Sequence, residues 1–368
     1  MRWVEEFRDP AAIHAAAAAL AAATTQPWTI MEVCGGQTHT IVRWSLPELL
    51  PPTIELIHGP GCPVCVTPIE IIDQARALAL RGGLTLATFG DMIRVPGSRG
   101  DLLSARAEGA DVRVVSSPLD ALRLARERPD RPLVMFAVGF ETTAPATAAA
   151  IEFAARERLA NFTVLASHVR VPPAMAMILS DERCRVQGFL AAGHVCAVVG
   201  TGEYPALVEQ FRTPIVVTGF EPLDILAGLL LCVRQLEAGR AALEIGFRRA
   251  VRPEGNLAAR AAIDRVFEVI DAPWRGLGLV PAGGLSIRPS FASFDAVRRF
   301  DVEPTVAAAE DRRCHAAEVL RGLLRPPACP EFGVGCTPER PLGAPMVSTE
   351  GACAAYYRHH RPPPKAAR

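Results

Sequence analysis

The chain has 368 residues, half of them hydrophobic, enough to bury more than one core; at roughly 150 residues per domain it divides into two or three. Lysine plus arginine and aspartate plus glutamate stand equal at 39 each, so no broad field points to nucleic acid or an anionic membrane. Ten cysteines in a chain this long do not read as a secreted disulfide framework; in a reducing compartment they serve more often as metal ligands or redox thiols.

The first element is an alanine-rich stretch from Ala11 to Ala23, interrupted by His14 and preceded by Glu5 and Glu6, which suits an amphipathic surface helix better than a signal peptide. From Trp28 to about Leu236, short β-branched runs alternate with helical stretches. The strands expected are Thr29–Val33, Thr53–Ile57, Leu84–Thr88, Val112–Val115, Leu133–Val138, Thr163–Ala166, Val195–Val199 and Ile215–Thr218. Helices are expected over Ile69–Leu80, Pro118–Arg128, Thr147–Leu159 and Leu223–Leu236. Such alternation implies βαβ units and a mostly parallel sheet. Short echoes, such as Gly139-Phe140-Glu141 with Gly219-Phe220-Glu221, fit two similar lobes, though chance similarity in an alanine- and valine-rich chain also accounts for them.

After about Gly239 strands become scarce, helices are expected over Leu257–Ile270 and Val306–Leu324, and proline, glycine and cysteine dominate from Arg325 onward. Arg361–Arg368 reads as a disordered basic tail. The expected fold is therefore α/β: a lobe over 27–131, a similar parallel-sheet lobe over 132–238, and a mainly helical, irregular unit over 239–368 joined by the N-terminal helix 1–26. No apolar run reaches the roughly 18 residues of a membrane span, so a cytoplasmic protein is expected.

Three cysteine sites carry the chemistry. In Glu32-Val33-Cys34-Gly35-Gly36-Gln37-Thr38-His39 a strand runs into two glycines and a helix. A helix N-terminus there would lower a thiol's pKa, making Cys34 a thiolate with His39 near it; a buried structural cysteine beside a tight turn fits equally. In His58-Gly59-Pro60-Gly61-Cys62-Pro63-Val64-Cys65 the C-x-x-C spacing lets two sulfurs form a disulfide or share a metal. Without a second such pair to complete a zinc ribbon, redox thiols are favoured. Cys314, Cys329, Cys336 and Cys353 sit in a proline- and glycine-rich segment and read as a four-thiolate metal site, open between zinc and a 4Fe-4S cluster. Cys184, Cys196 and Cys232 read as small buried hydrophobes. Asp91, Glu141 with Thr142 and Thr143, His168 and His194 stand at expected strand ends, where open α/β sheets place their sites but where caps and loop hydrogen bonds are also common. No phosphate-binding loop or nucleophile elbow appears.

Together the motifs Cys34-Gly35-Gly36-Gln37-Thr38-His39, Gly59-Pro60-Gly61-Cys62-Pro63-Val64-Cys65, Phe89-Gly90-Asp91-Met92-Ile93-Arg94-Val95-Pro96, Gly139-Phe140-Glu141-Thr142-Thr143, Gly193-His194-Val195 and Met346-Val347-Ser348-Thr349-Glu350-Gly351-Ala352-Cys353 resemble the HypD family of hydrogenase maturation factors, from about Met31 to Tyr357. The resemblance implies a 4Fe-4S cluster on Cys314, Cys329, Cys336 and Cys353. It implies partnership with a small HypC-type chaperone and a HypE-type cyanide donor, and a transient Fe(CN)2CO iron destined for the hydrogenase large subunit. By motif match Cys34 would hold that iron, Cys62 and Cys65 would be the redox pair, and His39, Asp91, His194 and Glu350 functional polar residues. One departure stands out: the family shows Gly-Ala-Cys-Met-Val-Ser where this chain has Gly343-Ala344-Pro345-Met346-Val347-Ser348. The competing reading is a free-standing iron–sulfur thiol/disulfide oxidoreductase.

Overall fold

The computed structural model describes residues 4–302 and 310–359. Among the described residues eleven strands make two sheets. The first contains β1 (Trp28–Glu32), β2 (Ile54–His58), β7 (Gly188–Ala192), β8 (Ile215–Thr218) and β9 (Leu243–Ile245), all parallel, in the order β2-β1-β7-β8-β9. The second contains β3 (Thr85–Thr88), β4 (Asp111–Val114), β5 (Leu133–Gly139), β6 (Phe162–Val169), β10 (Phe267–Trp274) and β11 (Gly278–Ile287), in the order β10-β11-β6-β5-β3-β4. Strands β6, β5, β3 and β4 are parallel, and the β10–β11 hairpin is added antiparallel to β6. The protein is α/β with two predominantly parallel sheets, as the alternation implied.

Side chains alternate along each strand, so each sheet feeds two cores. In the first sheet Ile30, Leu190 and Val216 face the helices Pro10–Ala23 and Pro222–Glu237. Met31, Phe189, Ala191 and Val217 face the opposite core, which also holds Cys34, Cys62, Cys65 and Trp274. In the second sheet Met135 and Ala137 pack with Leu122 and Ile151, while Val134 and Phe136 pack with Ile72 and Leu102. All seven residues of β5 are buried, as expected of a parallel strand covered on both faces.

Several expectations need correction. The sheets do not follow a contiguous division at residues 131 and 132: β3 and β4 belong with β5 and β6, whereas β7 and β8 return to pair beside β1. The run Val195–Val199 lies in a helix, Gly193–Val199, and the strand is the preceding Gly188–Ala192. A short apolar run serves a buried helix as well as a strand, and β1 selects Gly188–Leu190 as its partner. Sheet-forming chain also extends past Gly239 to Ile287; the prolines and glycines of the hairpin (Pro273, Pro281, Gly283, Gly284) obscure its alternation. The helix expected to reach Ile270 stops at Val266. The N-terminal helix packs on Pro222–Glu237 of the first sheet. Of Val306–Leu324, the described part is helical over Ala316–Leu320; residues 303–309 and Arg361–Arg368 lie outside the described residues.

Both sheets reverse strand order once. β1 leads to β2 on one side while β7 returns on the other, and β3 leads to β4 while β5 returns opposite. Crevices at the carboxyl ends of such strand pairs are where α/β sheets bind ligands. These are β1/β7 and β3/β5.

His168, at the end of β6, is buried, with Nε2 3.0 Å from the Thr147 hydroxyl. Burial lowers its pKa to about 4. The unfolded chain, with an ordinary histidine near 6.5, takes up a proton first as pH falls, so this residue's contribution is complete above 6.5 and declines towards 4. The stability lost by wild type between pH 7 and 5 should therefore exceed that lost by His168→Gln by about 2 kcal/mol in urea denaturation. Equal losses would contradict the assignment.

Candidate functional site

Cys34 follows β1 and caps the helix Gly35–Arg43, its backbone extended at φ −150° and ψ 123°. His194 is the second residue of the helix Gly193–Val199, which follows β7. Their side chains meet across the β1/β7 crevice, Cys34 Sγ lying 3.7 Å from His194 Nδ1. Phe220, after β8, walls the pair: its ring centroid is 5.1 Å from that of His194, and a Cβ added to Gly36 would touch it at 3.2 Å. Burial lowers the His194 pKa to about 4, which leaves a neutral imidazole with a lone pair. Burial also pushes the Cys34 thiol well up, outweighing the amides of Gln37 and Gly36 that favour the thiolate. The helix N-terminus thus acts in the expected direction but loses to desolvation, so the proton stays on sulfur.

The second cysteine site is laid against the first. Cys62 and Cys65, on either side of the first turn of the helix Pro63–Val66, are joined as a disulfide with Cα atoms 5.2 Å apart. Both are buried in the same core as Cys34. The glycines make this contact possible: Gly35 N donates to Gly61 O at 2.8 Å, and a Cβ on Gly61 would stand 2.2 Å from Cys34 N. Phe140, just beyond β5, stacks on Trp274 in the same cluster.

A loop from the C-terminal segment closes over this region. Ser348 Oγ donates to Asp91 Oδ2 at 2.8 Å, and Glu350 N donates to Ser348 Oγ at 3.2 Å. A Cβ on Gly35 would lie 2.4 Å from Glu350 Cβ, so this loop bridges the Asp91 turn after β3 and the Cys34 turn after β1. Partial withdrawal from water, then the neighbouring Asp91 charge, raise the Glu350 pKa. His39 does not fill the place expected beside Cys34: its ring stands edge-on to His359 at 5.0 Å. The imidazole at the thiol is His194.

Cys314, Cys329, Cys336 and Cys353 line one cavity, walled by Val319, Phe332, Leu342, Pro345 and Met346. Leu342 N donates to Cys336 Sγ at 3.3 Å, and a Cβ on Gly343 would lie 2.4 Å from Cys314 Sγ. Burial raises Cys314 to about 11 and Cys353 further still, the latter also through the charges of the other three sulfurs. Among the described residues no three histidine, cysteine or acidic side chains converge on the geometry of a single ion; the four sulfurs border a space. An apolar wall, four thiols and backbone N–H groups aimed at sulfur fit a sulfur-ligated cluster. The short turn Ala344–Met346 packs against the disulfide helix Pro63–Val66, which places Pro345 between the two sulfur sites. Cys196 and Cys232 are fully buried, and Cys184 is half-buried.

Three residues of this region were not singled out from the sequence. Glu32 is fully buried, and its carboxylate accepts from Cys34 N at 2.8 Å, from the Thr38 hydroxyl and from His58 Nδ1 at 2.6 Å. His58 Nε2 lies 3.1 Å from Tyr356 OH. Glu32 and His58 flank the two cysteine motifs, and an acid next to a Cys-Gly-Gly turn was an available signal. Nothing local marks Tyr356.

The family model HypD, described as the hydrogenase formation hypA family, matches residues 11–360. The chain is 49% identical to the hydrogenase maturation factor HypD of Azotobacter vinelandii, covering 98% of this chain and 97% of that protein. It is 47% identical to the factor of the same name from Rhodobacter capsulatus, covering 98% of each, and 43% identical to that of Escherichia coli K12, covering 98% and 99%.

The Gly61 contact is the most stringent local constraint, because it meets backbone atoms that cannot rotate away. Gly61→Ala should lower stability by about 1–3 kcal/mol in chemical denaturation. A variant as stable as wild type would show that the two turns are not pressed together.

Proposed function

The chain belongs to the HypD family of hydrogenase formation proteins, and from that premise we propose that it is the scaffold on which the Fe(CN)2CO centre of nickel–iron hydrogenase is assembled. In this reading a HypC-type chaperone and a HypE-type cyanide donor are its partners, and the hydrogenase large subunit receives the iron through them. The supporting observation is the convergence at one crevice of a lone thiol, a neutral imidazole and a disulfide, with a four-cysteine cavity beyond them.

Cys34 is the thiol for the iron, and His194 is a neighbouring nitrogen donor kept neutral by burial. Thiolate and imidazole are both suitable ligands for iron of this kind. Binding displaces the thiol proton that burial otherwise retains. Cyanide arriving on a thiocyanate-like carrier is released when its S–C bond takes up two electrons and one proton, leaving the carrier as a thiol. Cys62 and Cys65 as a dithiol supply two electrons and two protons on closing to the disulfide, one proton going to the carrier's sulfur and the other leaving with cyanide or to solvent. Cys314, Cys329, Cys336 and Cys353 would hold a 4Fe-4S cluster, which when bound supplies electrons singly. Pro345, at the cavity wall, contributes no thiol. Asp91, Ser348 and Glu350 hold the covering loop over the Cys34 turn. Burial of both sulfurs of the disulfide counts against a free-standing oxidoreductase, which needs an exposed thiol for generic substrates.

Cys34→Ala should abolish the cyanide and carbon monoxide infrared bands of the anaerobically purified protein with its small partner, while cluster absorption stays intact. Bands that persist remove Cys34 from this role. Cys336→Ser should do the reverse to the colour, bleaching the brown visible absorption; an unchanged spectrum would exclude it as a cluster ligand.

A further inference from the structure

We infer that Glu32 is a positioning residue that fixes the Cys34 turn and, through His58 and Tyr356, ties it to the helix Ala352–His359 that carries Cys353. The inference rests on the assembly reading above, since it links the iron-holding thiol with a cluster ligand. Glu32 has no exposed surface, and a buried carboxylate is costly unless it is fully partnered. Its partners come from three places: the Cys34 amide, Thr38 one turn into the following helix, and His58 at the end of the neighbouring strand. Strand register alone sets the last pairing, because Glu32 and His58 are opposite each other in the parallel β1–β2 ladder.

A buried polar cluster of this kind contributes little net stability compared with well-packed apolar side chains; what it supplies is geometry. One carboxylate oxygen holds the Cys34 N–H at 2.8 Å, which orients the Cα–Cβ bond that aims the sulfur at His194. The other oxygen holds His58, whose far nitrogen reaches Tyr356 OH at 3.1 Å, with the rings 5.4 Å apart and edge-on. Tyr356 stands three positions after Cys353 on one helix, and Val42, Ala355 and Tyr356 pack together where that helix lies on Gly35–Arg43. Displacement of the Cys353 helix therefore pulls on Cys34 by a path of three side chains.

The test uses Tyr356→Phe, which keeps the ring and removes the hydroxyl, and Glu32→Gln, which keeps shape and an acceptor oxygen but loses the charge. In Tyr356→Phe, hydrogen exchange at amides 34–38 should run about fivefold faster than in wild type, the size of one lost hydrogen bond. Chelating the cluster should speed exchange of the same amides in wild type and add nothing in Tyr356→Phe. In Glu32→Gln the cyanide infrared bands should shift while cluster absorption per chain is unchanged, a spectroscopic effect that a purely structural role would not produce. Exchange in Tyr356→Phe equal to wild type, or equal acceleration by chelation in both proteins, would overturn the link, as would unshifted bands in Glu32→Gln. A colourless wild-type sample would instead sink the assembly reading, and the exchange comparison between wild type and Tyr356→Phe would still decide whether the hydrogen-bonded path holds the Cys34 turn.

Discussion

A buried carboxylate, that of Glu32, ties together the cysteine-bearing turns of this fold. Glu32 sits between the ends of two parallel strands, and its oxygens are satisfied by the amide that precedes the Cys34 side chain and by the histidine that opens the C-x-x-C turn. Because a polar group in such a place must be partnered, the two turns cannot drift apart without leaving it unsatisfied in an apolar interior. The glycines then let the turns touch through backbone, Gly61 against Cys34 and Gly35 against Glu350. The result is a compact stack of turns from the first sheet, closed by a loop that also reaches the Asp91 turn of the second.

Burial sets the resting state of the groups in this stack. It keeps a proton on Cys34 and keeps one off His194. Neither group is charged, which avoids an unpaired ion in the crevice. Among the four distant cysteines, burial and then the charges of neighbouring groups raise the thiols of Cys314, Cys336 and Cys353 in the same way.

Much of this was legible in the residues. Alternation of β-branched and helical runs led to parallel sheets, and the Cys-Gly-Gly and C-x-x-C turns were correctly placed at strand ends, after β1 and β2. What remained hidden was pairing over long separation. Nothing in the run Val195–Val199 says helix, because the information lies in β1, which chooses Gly188–Leu190. Sheet membership that skips from His58 to Gly188 and from Val169 to Phe267 is likewise a property of the three-dimensional ladder. For the same reason His39, close in sequence, looked like the partner of Cys34, while His194 took the position by topology. Glu32 was visible as a neighbour of the motif, but its role depends on a histidine 26 residues away and a tyrosine near the far end of the chain.

Iron anomalous diffraction from crystals of the anaerobically prepared protein bears most directly on the whole account. It should show iron density inside the ring of Cys314, Cys329, Cys336 and Cys353 and one further, isolated iron at bonding distance from Cys34 Sγ in the crevice shared with His194. A crevice that stays empty of iron when the protein carries cyanide bands, or a four-cysteine ring filled at the zinc edge, would contradict it.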